Sequence, residues 1–84
     1  MAFDDSLGRR VKQVCVSRGV TVVALSGYRS FALQVDKTRK RVSGHDLQLV
    51  TSALVTRYVK LGLDQKVLRD IAYLVFNVSL PNRH

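Results

Sequence analysis

The sequence predicts a small α+β domain spanning residues 1–84, in the order α–β–β–(β)–α–α, with a β-hairpin or short meander packed against helices. Three observations predict it. Apolar residues recur at 3.6-residue spacing near the N-terminus and again through the C-terminal half. Between them "VTVVALSGYRSFALQV" is rich in β-branched residues and alternates apolar with polar. Ser26-Gly27 separates the two halves of that stretch as a hairpin turn would.

The first helix is expected to start at Ser6 as cap, with Leu7, Val11, Val14 and Cys15 on its apolar side. Asp4 and Asp5 suit the positive end of its dipole, Arg18 its last turn, and Gly19 its stop. Arg9, Arg10, Lys12 and Gln13 fall on the other side, so this helix reads as cationic outside. Strands are expected at Val20 to Leu25 and through Phe31, Leu33 and Val35, with Tyr28 and Arg29 at the hairpin end. Asp36-Lys37-Thr38-Arg39 reads as a type I turn. A short third strand over Arg39 to Ser43 would put Arg39 and Arg41 on one face and turn Val42 to the core.

Ser43 or Asp46 can cap the next helix, with Leu47, Val50, Leu54, Tyr58 and Leu61 along one side. Gly62 ends it and Asp64 caps the last helix, which carries Val67, Leu68, Ile71, Leu74, Val75 and Val78 and stops by Pro81. The chain thus divides into a basic N-terminal half, 7–43, and an apolar helical pair, 46–79.

Charge is the unusual quantity. Fourteen Lys and Arg oppose six acids, all Asp, for a net +8. Residues 9–41 hold nine of those cations and one acid, Asp36. Such self-repulsion destabilises a small fold, so a polyanionic partner is the first expectation. The candidate nucleic-acid-binding residues are Arg9, Arg10, Lys12, Arg29, Lys37, Arg39, Lys40 and Arg41, with Tyr28 as a possible base-stacking ring. Competing readings of "KTRKR" are edge-strand protection and a nuclear-localisation tract.

Catalysis is not expected. There is no Glu, the two histidines are His45 and His84, and Cys15 lies on an apolar helix side where a structural thiol is the ordinary reading. No cofactor or metal is expected: His45-Asp46 lacks further ligands at suitable spacing, and the glycines are isolated rather than a phosphate loop. The opening "MAFDDSLGRR" has no apolar run, no segment approaches ~18 apolar residues, and a single cysteine forms no internal disulfide, so a cytoplasmic protein without membrane association is expected. The last two helices carry more apolar surface than so short a chain covers readily. A homodimer through Val55, Val59 and Tyr73 is therefore expected. The functional expectation is a small basic protein that contacts nucleic-acid backbone, DNA or RNA, with little sequence readout. The alternative is a regulator or inhibitor docking on an acidic or nucleic-acid-binding surface of a larger complex.

Overall fold

A computed structural model describes residues 5–42 and 44–79. They form four α-helices: α1 (Asp5–Ser17), α2 (Leu25–Arg41), α3 (His45–Lys60) and α4 (Gln65–Ser79). No strand occurs among the described residues, so the expected α+β class is overturned and the domain is all-α.

The segment that reads as strands contains two other structures. Residues 20–24 are a loop of tight turns, in which Ala24 and Leu25 donate N–H bonds to the Thr21 and Val22 carbonyls at 3.1 and 3.2 Å. Val22 and Val23 are 82% and 89% exposed there. The β-branched run is therefore a surface connection. From Leu25 the chain is helical for 17 residues. Phe31 and Val35, which alternate with polar neighbours, are also one helical turn apart, and they join Leu25, Tyr28 and Ala32 in a buried stripe. Leu33, the middle member of the alternation, is only half-buried.

Ser26-Gly27 is the first turn of α2 rather than a hairpin. A Cβ at Gly27 would lie 3.3 Å from Leu63 Cδ2, so glycine here permits close approach of α2 to the α3–α4 turn. The expected type I turn and third strand are replaced by the last turns of α2, with Val42 half-buried just beyond.

The other helices match their expected positions more closely. Because α1 begins at Asp5, Ser6 lies inside its first turn rather than at its cap. Arg18 follows the helix and pairs with Asp70 of α4. Gly19 stops α1 at φ +78, with Val20 N–H reaching Cys15 O at 2.9 Å and Gly19 N–H reaching Val16 O at 3.1 Å, the Schellman arrangement. Gly62 repeats it for α3 at φ +101. Asp64 caps α4, its carboxylate accepting the Lys66 N–H at 2.8 Å. The cap of α3 is Gly44, with no side-chain cap bond, and Asp46 sits in the first turn. Ser43, Pro81, His84 and the side chain of Val78 lie outside the described residues.

Helices α2 and α4 pack together through the centre. Helices α1 and α3 each pack against both and do not approach one another. Val11 and Cys15 of α1, Phe31 and Val35 of α2, Leu54 and Val55 of α3, and Leu68, Ile71 and Val75 of α4 share one core. Each large apolar side chain buried there contributes about 1.5–3 kcal/mol. The Phe31 ring meets Tyr58 edge-on at 5.4 Å, joining α2 to α3. The expected α3 stripe is partly corrected: Thr51 and Val55 turn inward with Leu54, whereas Leu61 is 69% exposed. None of the described helices is long and apolar enough to cross a membrane.

Candidate nucleic-acid interface

Helical geometry reorganises the basic cluster. At about 100° per residue, Arg39 and Arg41 stand about 160° apart, so they do not share a face as the strand reading required. Arg41 instead lies one turn beyond Lys37. Arg29, Lys40, Lys37 and Arg41 fall within one arc of about 120° and span about 18 Å along α2. All four are exposed, as are Ser26 and Ser30 in the same arc, while Leu33 within it and Gln34 just past its edge are half-buried. No acid stands in the arc. The buried side of α2 explains this arrangement: Tyr28, Phe31, Ala32 and Val35 occupy the opposite arc and fix which way the cations point, while the buried Asp36 flanks the cation arc about 20° from Arg29.

Asp36 is the counter-charge that the basic reading did not use. It is 4% exposed, and its two carboxylate oxygens take separate cations: Arg39 Nε at 3.0 Å and Lys40 Nζ at 3.4 Å. Arg39 is thereby drawn to the protein side, its side chain 22% exposed, while Lys40 remains largely in solvent. The i, i+3 and i, i+4 offsets of these pairs are visible in "DKTRK" once the segment is read as helix. Arg39, Lys40 and Arg41 also occupy the last turn of α2, where cations favour the dipole by about 0.3–1 kcal/mol each. Part of the charge density is therefore structural.

Helix α1 supplies a second cationic face. Leu7, Val11 and Cys15 are buried, which leaves Arg9, Arg10 and Lys12 exposed, with no ion pair to any described residue. Burial raises the Cys15 thiol above its ordinary value, and the Arg29 guanidinium of α2 opposes that shift.

Tyr28 does not belong to this surface. The expected hairpin tip is helix interior, the ring is 4% exposed, and its hydroxyl accepts the Asp64 N–H at 2.8 Å. It ties α2 to the α3–α4 turn and presents no face to a base.

Of the residues expected at an oligomer interface, Val55 is buried within the chain's own core, whereas Val59 is 39% and Tyr73 70% exposed. His45 is exposed at the start of α3, and no group of three or more His, Cys, Asp or Glu suited to a metal occurs among the described residues. No family model matches the chain, and neither do any curated proteins or solved structures.

Proposed function

We propose that this protein binds nucleic acid through the exposed faces of α1 and α2, contacting the phosphate backbone with little sequence readout. The observation that carries the reading is the exposed arc of Arg29, Lys37, Lys40 and Arg41, in which Lys40 alone has an acidic partner among the described residues. The buried side of α2 holds it outward, and the exposed Arg9, Arg10 and Lys12 of α1 add a second cationic face. An 18 Å length of duplex presents about ten phosphate charges, more than enough to engage such a face. The withdrawal of Tyr28 into the core removes the ring expected to stack on a base beside these cations, which supports backbone contact.

Fluorescence anisotropy with a random-sequence duplex and a random single strand, each titrated over a range of salt, tests this function. Neutralising about five phosphates gives a log–log salt slope near −4.5 on duplex DNA. Absence of binding to either probe at low salt would defeat the reading and favour docking on an acidic protein surface.

A further inference from the structure

A different region of the molecule carries an independent feature. Between α3 and α4 lies a groove of about 440 Å³, lined on one side by Gln48, Thr51, Ser52, Val55 and Thr56 and on the other by Gln65, Arg69, Ala72, Tyr73 and Phe76. Its volume falls within the range of ordinary ligand pockets, about 300–1,000 Å³. Val55 and Ala72 are buried and Phe76 half-buried, which gives the groove an apolar floor, while Gln48, Ser52, Thr56 and Gln65 form an exposed polar rim.

Two observations indicate what the groove takes. Thr51 is 8% exposed and its Oγ1 has no hydrogen-bond partner among the described residues, although buried hydroxyls are ordinarily satisfied. Among the described residues, the exposed Arg69 makes no ion pair and no acid lines the groove. The nearest acid in sequence, Asp70, is engaged by Arg18. Tyr73 stands 70% exposed one turn beyond Arg69, an aromatic wall with a polar tip.

We infer that the α3–α4 groove is a binding site for a short acidic segment of a partner protein, one that places an apolar side chain on the floor of Val55 and Ala72, a hydrogen-bonding group on Thr51 Oγ1 and a carboxylate on Arg69. A second copy of this chain fits the site less well, because its 14 Lys and Arg against six acids would bring cations to a groove that already presents one. The site is separate from the α1–α2 face and does not depend on it.

The test titrates three pools of ten-residue peptides into the full chain and follows the amide resonances of Thr51, Ala72 and Phe76 and the methyl resonances of Thr51, Val55 and Ala72. One pool combines Leu, Val and Phe anchors with Asp and Glu, the second combines the same anchors with Lys and Arg, and the third holds Asp and Glu with Ser in place of the anchors. The anchored acidic pool is expected to shift these resonances, and the other two are not. Arg69→Gln should weaken that binding at least fivefold, and Ser52→Phe, at the exposed rim, should block the groove while leaving the melting temperature within a few degrees. Lys37→Gln with Arg41→Gln should leave it unchanged, which separates this site from the nucleic-acid face. The inference is overturned if no pool perturbs the groove, or if the anchor-free acidic pool binds equally well. It is also overturned if a random single strand shifts the same resonances, or if they shift with protein concentration alone as the chain dimerises.

Discussion

Replacing Asp36 with Asn should lower stability and strengthen nucleic-acid binding at the same time. The carboxylate is 4% exposed and holds Arg39 Nε at 3.0 Å, with the Arg39 side chain itself 22% exposed. A part-buried, charge-assisted bond of this kind contributes about 1.5–3 kcal/mol, because its loss leaves a guanidinium without its partner. The Lys40 contact, at 3.4 Å with that side chain 60% exposed, adds at most a few tenths of a kcal/mol. The net loss is about 2–3 kcal/mol, which in a domain of this size lowers Tm by about 10–20 °C. Removing the anion also releases Arg39 and Lys40 toward a phosphate backbone, so the salt slope on duplex should steepen by about 1–2. Thermal melts followed by circular dichroism and anisotropy titrations over salt measure both effects. Asp46→Asn, at an exposed position in the first turn of α3, is the control and should shift Tm by only a few degrees. An Asp36→Asn protein that melts within about 2 °C of wild type, or a salt slope that stays unchanged, would refute the placement of Asp36 as the counter-charge of this cluster.

Three further outcomes follow from buried polar groups. Thr51→Val should raise stability by about 1 kcal/mol, since it replaces a buried, unpartnered hydroxyl with a methyl of similar size; a destabilised variant in denaturant melts would show that the hydroxyl is satisfied in solution. Tyr28→Phe should cost about 1–2 kcal/mol by stripping the Asp64 N–H of its acceptor, and hydrogen exchange at Asp64 should accelerate; unchanged exchange would contradict the bond. Burial raises the Cys15 thiol above 9.0, with Arg29 opposing, so the native chain retains a proton that the unfolded chain releases in alkali. Stability is therefore lost as pH rises past 9.0, and Cys15→Ala, although about 1–2 kcal/mol less stable near neutrality, should lose less over that range; parallel curves would contradict the shift.

Much of the helical framework was legible in the sequence. The stop signals Gly19 and Gly62 and the cap Asp64 act as their chemistry requires, and α1 and α4 follow their apolar spacing. Helix α3 forms where expected but buries Thr51 and Val55 with Leu54 in place of most of the expected stripe. The middle was not legible, because residues 28–36 satisfy two periods at once. Phe31, Leu33 and Val35 alternate, yet Tyr28, Phe31, Ala32 and Val35 also recur at helical spacing, with a small alanine and a tyrosine in places that a count of strongly apolar residues passes over. The flanking valines tipped that balance toward strand, although Val22 and Val23 are exposed loop residues. The cationic residues were identified, but their grouping depended on the period: the helix withdraws Arg39 and aligns Lys37 with Arg41. The groove could not be anticipated, since Thr51 and Arg69 are adjacent only through the packing of α3 on α4.

The most direct measurement compares two variants of equal net charge. Lys37→Gln with Arg41→Gln removes two cations from the outer arc of α2, and Lys60→Gln with Lys66→Gln removes two from α3 and α4. All four positions are exposed, so both proteins should fold as wild type. If α1 and α2 form the binding face, the first variant flattens the log–log salt slope on random duplex by about 1.8 and the second leaves it within a few tenths of wild type. Equal flattening by both variants would show that binding follows net charge alone, and a larger effect from the α3–α4 variant would place the nucleic acid on the other side of the molecule.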